Sequence, residues 1–175
     1  MSMNVLLFLA IRVLHVLLAG VWLGQVFFVT VFLVPTTFQP GPARGQIPIM
    51  TALVRRGLPA FMASIGGTTI LTGIYLFWRF TGGFDPAVSA SRAGMAFSVG
   101  ALAGVIALIL GGSVLGRGVK KMAAIGEKAA SAPEAQRGAM MNEMDALSTR
   151  IEATSKIVLA LLVIAMATMA LGHYI

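Results

Sequence analysis

Apolar residues along this chain collect into runs that are apolar on every face, rather than into stripes or alternations. Four such runs stand out, at about 5–34, 58–78, 93–115 and 157–175. A membrane span needs about 20 mostly apolar residues, and each run is of that order. Arg12 and His15 interrupt the first run, so its embedded part is expected from about Val13 to Val34. Pro35 is expected to close it, because a proline disfavours helical geometry in the residue before it. Between the third and fourth runs the pattern changes. Ser131, with Pro133 and Glu134 after it, is a capping signal for a new helix. Met140, Met144, Leu147, Ile151 and Val158 then recur at spacings of three, four or seven and form one apolar stripe. This predicts one helix from about Pro133 to Ile175, about 65 Å long at 1.5 Å per residue. The stretch from Gly118 to Ala130, with Val119, Met122 and Ile125 on one side, is its predicted antiparallel partner and extends the third span. The expected fold is therefore all-α: a polytopic membrane four-helix bundle, a single domain over 1–175, with a helical hairpin over 116–156 between spans three and four.

Composition agrees. The chain is 58% hydrophobic and only 11% charged, with a mean hydropathy of +0.90. An ordinary soluble domain has about 45–50% apolar and 25% charged residues. With no cysteine, thiolate zinc sites, iron–sulfur clusters and thiol nucleophiles are excluded.

The net charge of +7 changes the picture only once the basic residues are placed. Arg44, Arg55, Arg56, Arg117, Lys120, Lys121, Lys128, Arg137, Arg150 and Lys156 fall in the linkers after spans one and three, whereas Arg12, Arg79 and Arg92 fall on the other side. Cytoplasmic loops carry the excess of Lys and Arg. Both rich linkers, the hairpin included, are therefore expected in the cytoplasm, with both termini external, facing the periplasm of a bacterial inner membrane. The basic balance reports topology and not a nucleic-acid partner. No positive charge precedes the first apolar run, which is also too long for a signal peptide, so the N-terminus is expected to belong to the mature protein.

Close helix approach is expected at small-xxx-small pairs: Gly20 with Gly24, Gly100 with Gly104, and Gly112 with Gly116. In the second span Gly66, Gly67 and Gly73 join Thr68, Thr69 and Thr72, whose hydroxyls bond within their own helix or across to another. The same glycine faces would suit a homo-oligomer. Gly111, Gly116, Arg117 and Gly118 mimic the glycines of a phosphate-binding loop, but the Lys followed by Ser or Thr is missing. Five of the six acidic residues lie in the hairpin and the sixth, Asp85, lies in the short external turn. Acid–base candidates within the bundle reduce to histidine.

His15 lies 19 residues, about 28 Å, from Val34, and His173 lies 16 residues, about 24 Å, from Ile157. The two imidazoles are thus expected at similar depth near the external face. Ionisable residues inside spans mark function by default. Two imidazoles on different helices suit a metal or both axial positions of b-type haem, with Arg12, one turn outside His15, placed for a haem propionate. Met166, Met169 and His173 fall at i, i+3 and i+7, a thioether–imidazole stripe that suits Cu(I). A bland alternative has both histidines wet at the interface and the methionines filling core gaps.

The first helix reads His15-Val-Leu-Leu-Ala-Gly-Val-Trp22-Leu-Gly24-Gln-Val-Phe27-Phe28 and runs to Pro35. It resembles the opening helix of the CopD-type copper-resistance membrane proteins and of small four-span families related to them. Its His-x6-Trp spacing also resembles the first helix of HemJ, the haem-associated protoporphyrinogen oxidase. The run Ile65-Gly66-Gly67-Thr68-Thr69-Ile70-Leu71-Thr72-Gly73 resembles the second helix of such proteins. The likeness covers 11–35 and 64–76. HemJ's Arg-rich continuation is replaced here by the uncharged stretch Val31 to Phe38, so protoporphyrinogen oxidation is not carried over. The resemblance implies one functional ligand, His15.

The expectation is an integral inner-membrane protein binding a redox metal centre, haem b between spans one and four through His15 and His173, that exchanges electrons with a membrane or periplasmic partner. Copper handling through His15, Met166, Met169 and His173 is the alternative, and a cofactor-free interaction or structural subunit is the third class. The residues do not decide whether the protein is an enzyme.

Overall fold

The computed structural model describes residues 2–37, 47–172 and 174. Its helices are α1 (Met3–Phe28), α2 (Val34–Thr37), α3 (Ile47–Arg55), α4 (Leu58–Phe80), α5 (Pro86–Ser89), α6 (Arg92–Leu110), α7 (Arg117–Ser131) and α8 (Glu134–Leu171). Four continuous helical stretches are long and apolar enough to cross a membrane: 3–36, 58–80, 92–131 and 134–171. Neighbours pack in a ring, α1 on α4, α4 on α6, α6 on α8 and α8 on α1. The diagonal pairs α1–α6 and α4–α8 make no close backbone approach among the described residues.

The outside of this ring is apolar. Leu14, Leu17, Phe28, Leu71, Leu102, Ile109, Ile157 and Val163 are all exposed. Burying one such side chain is worth about 1.5–3 kcal/mol, so leaving this many in water would cost more than a domain's whole stability. Lipid removes that cost.

Two π turns interrupt the spans, Val29–Leu33 between α1 and α2 and Gly111–Gly116 between α6 and α7. The first explains why Pro35 does not end the helix as expected. Within an α-helix its ring would clash with the carbonyl four residues back. Here the backbone widens just before it, Val34 N–H donates to Val29 O five residues back, and helical geometry continues through Thr37. The hairpin also differs at its apex. Ser131 is the last residue of α7, its hydroxyl donating to Lys128 O at 3.3 Å. The extended Ala132 makes the turn and Pro133 occupies the N-cap of α8. A serine near a chain reversal serves either helix, and here it serves the one that ends.

Two core clusters result. Trp22, Val26, Ala107, Val158 and Leu162 fill the middle of the bundle. Val34, Met122, Ile125, Met144 and Ile151 fill the hairpin end, with Val119, Met140 and Leu147 packed against them, so the predicted stripe is the face that packs. Lys121 pairs with Glu143 across the hairpin at 2.6 Å, and α3 docks on α7, where Arg55 pairs with Glu127 at 2.8 Å. These exposed pairs are worth at most about 1 kcal/mol each.

The opposite end closes through a tight turn. Gly82, Gly83 and Phe84 all have positive φ. Buried Thr81 holds the turn, its hydroxyl donating to Phe77 O and accepting from Phe84 N–H, each at 2.9 Å. Ser91 Oγ then accepts from Gly94 N–H and caps α6.

Candidate functional site

The inner face of α1 is set by Trp22, Val26, Thr30 and, beyond the π turn, Val34, all buried and four residues apart. His15 lies seven residues before Trp22, two helical turns towards the N-terminus, and shares that face. The neighbouring α4 receives both rings at glycines. A Cβ on Gly66 would lie 2.9 Å from Trp22 Cε2, and a Cβ on Gly73 would lie 2.9 Å from His15 Cε1. Gly66 and Gly73 are also seven apart, so two antiparallel helices with matching spacings put ring into notch twice.

The second notch is polar. His15 Nδ1 lies 3.0 Å from Thr69 O and 3.1 Å from Thr72 Oγ1. Thr69 O is the carbonyl four residues before Gly73, where a side chain at position 73 would screen it, and the glycine leaves it open to a second donor. Thr72 Oγ1 has Thr68 O at 2.8 Å and Thr69 O at 2.9 Å as acceptors for its hydrogen, so its lone pairs remain for His15. A carbonyl oxygen only accepts, so Nδ1 carries the hydrogen. In the neutral ring Nε2 is then the nitrogen with a free lone pair.

Arg12 is exposed one turn before His15. With Leu9, Val13, Val16 and Leu17 it lines a shallow groove of about 370 Å³ on the flank of α1, and His15 is not part of that lining. Met166 and Met169 are half-buried on α8. Met169 Cγ packs where a Cβ on Gly100 of α6 would stand, at 3.0 Å, beside Thr168 Oγ1 at 2.8 Å. His15 therefore faces α4 and Met169 faces α6, on separate interfaces of the ring. His173 lies outside the described residues, so its pairing with His15 does too. Just before it, Gly172 packs against the Phe97 ring of α6. Among the described residues no three His, Asp or Glu side chains cluster as a metal site.

Thr69, Thr72 and Gly73 were not linked to His15 by sequence reasoning, although the equal spacings of 15 to 22 and 66 to 73 carry that signal. Gln25 was passed over as well. Its Oε1 is buried without a hydrogen-bond partner among the described residues, ten residues and about 15 Å deeper than His15 along α1.

The donor chemistry is that of a single imidazole that could ligate a metal through Nε2, its other nitrogen being held by Thr69 O and Thr72 Oγ1. No protein-family model matches the chain, and neither the curated proteins nor the solved structures contain a match to it.

Proposed function

We propose that this is a multi-pass protein of a bacterial cytoplasmic membrane whose bundle holds a redox metal centre near its external end, haem b with His15 as an axial ligand. The observation that carries the reading is the hydrogen bond from His15 Nδ1 to Thr69 O, which leaves the Nε2 lone pair available to a metal. Haem bound there would supply one-electron exchange with a membrane or periplasmic partner. The chain's own residues do the rest. Thr69 and Thr72 orient the imidazole, Gly73 lets it lie against α4, and Arg12, one turn further out, offers a cation to a carboxylate. The sorting of basic residues towards the hairpin supports an external site and external termini. His173 would be the second ligand from α8.

The test is the visible spectrum of protein purified in detergent from haem- and copper-replete cells, with and without dithionite, alongside elemental analysis. A Soret band in the wild type that His15→Ala removes is the expected result. Well-folded wild type with neither Soret band nor copper would overturn the metal reading, and copper without a Soret band would replace haem by copper. Because the chain has no cysteine, a single cysteine at position 174 reports sidedness cleanly. Labelling from the external side is expected; labelling only from the cytoplasm would place the site on the wrong face.

A further inference from the structure

The structure turns the His15 side chain of α1 onto a neighbouring span through two polar contacts, and what receives it is built from three adjacent features of α4. Thr69 supplies a carbonyl 3.0 Å from Nδ1, Thr72 supplies a hydroxyl 3.1 Å from it, and Gly73 supplies the clearance without which the ring stands off. The neutral histidine side chain free in water favours the other tautomer, with hydrogen on Nε2. A notch whose acceptors, among the described residues, both face Nδ1 reverses that preference.

We propose that Thr72 and Gly73 are positioning residues that hold His15 in its Nδ1–H tautomer and so keep Nε2 bare for a ligand. The assignment rests on the reading of His15 as a ligand and extends it to the residues that set which nitrogen ligates. Gly73 acts sterically. Replacing it by alanine puts a methyl 2.9 Å from Cε1, closer than real Cβ contacts come, so the ring must shift off its seat on Thr69 O. Thr72 acts as an acceptor. Its loss removes one of two partners of Nδ1–H, and a hydrogen bond of ordinary net strength, about 1 kcal/mol, corresponds to roughly a fivefold change in the tautomer ratio.

The experiment reads the tautomer directly and without any metal. Apo-protein carrying ¹⁵N-histidine in lipid nanodiscs is examined by long-range ¹H–¹⁵N correlation with the ring neutral, His173→Gln assigning the two histidines. Expected is an unprotonated Nε2 on His15 in the wild type, a shift towards Nε2–H of about fivefold in Thr72→Val, restoration in Thr72→Ser, and loss of the Nδ1–H form in Gly73→Ala. Gly20→Ala, where a Cβ meets open space, leaves the ratio unchanged. A wild-type His15 in the Nε2–H form would overturn the proposal, as would folded Thr72→Val and Gly73→Ala proteins that both keep the wild-type ratio. If Gly73→Ala does not fold, the Thr72 pair decides alone. Haem reconstitution of the same samples separates the two claims: an Nδ1–H ring with no Soret band upholds the positioning and overturns the haem.

Discussion

Trp22 and His15 enter the same neighbouring helix two turns apart, and α4 meets each of them with a glycine, yet the two notches have opposite characters. Trp22 belongs to the apolar cluster at the middle of the bundle. The ring is 5% exposed, Gly66 lies beneath it, and Leu108 of α6 closes the far side, 3.0 Å from where a Gly66 Cβ would stand. Around His15 the ring edge meets a carbonyl and a hydroxyl, and the side chain is only half-buried. One packing device therefore serves two ends. In the middle of the bundle it joins three helices into a core, and nearer the turn end it fixes one polar ring between two helices. A notch that is only structural needs no acceptor at a chosen nitrogen, and it is the acceptors that set the outer notch apart.

The comparison breaks most readily at its inner half. Trp22→Ala removes the largest side chain of the central cluster and is expected to cost about 3–5 kcal/mol, read as the shift in a reversible denaturant unfolding curve in mixed micelles. Gly66→Ala comes next. The added methyl meets the indole and Leu108 together, and overpacking of this kind costs about 1–3 kcal/mol. Gly73→Ala adds the same methyl against a ring that can swing away, so its stability loss is expected below that of Gly66→Ala. Equal losses at the two glycines would mean that His15 is held as rigidly as Trp22, and the distinction between the notches would fall.

His15→Ala sharpens the difference from the other side. The ring's contribution to folding is a hydrogen bond and partial burial, about 1 kcal/mol, so unfolding should move little while any Soret band disappears. A loss as large as that of Trp22→Ala would make His15 a core residue and remove the reason to assign it chemistry.

How far the sequence foresaw this molecule follows from which forces act locally. The spans were legible because bilayer thickness fixes a run length that composition alone reveals, and the hairpin stripe of Met144 and Ile151 was legible because helical periodicity is local. Pro35 was misread because the π turn before it is a backbone adjustment without a composition signature. The receptor for His15 was hidden for a different reason. Thr69 contributes through its carbonyl, which every residue has, and Gly73 through an absent side chain, so neither announces itself until the register of α1 against α4 is known. The orientation of the α1 glycines was hidden in the same way. Spacing says which small residues share a face but not which way that face looks.

Gly20 and Gly24 carry the last and smallest expected effect. They lie two residues before Trp22 and Val26, and two residues turn a helix by about 200°, so the small pair looks out when the aromatic face looks in. The structure agrees: Gly20 and Gly24 are exposed and a Cβ on either meets nothing within 4 Å, whereas Gly100 and Gly104 of α6 touch Met169 and Ile70. Alanine at 20 and 24 is therefore expected to leave the monomer's unfolding unchanged, or to raise stability by up to about 1 kcal/mol per site through helix propensity. Unfolding and cross-linking in nanodiscs read this together. A double alanine variant that unfolds more readily would contradict the outward orientation, and one that keeps its fold but loses a cross-linked dimer would show that the outward face of α1 meets a second copy of the chain. In either case the inward pair, Trp22 on Gly66 and His15 on Gly73, is tested against a glycine pair of the same helix that lacks any ring to receive.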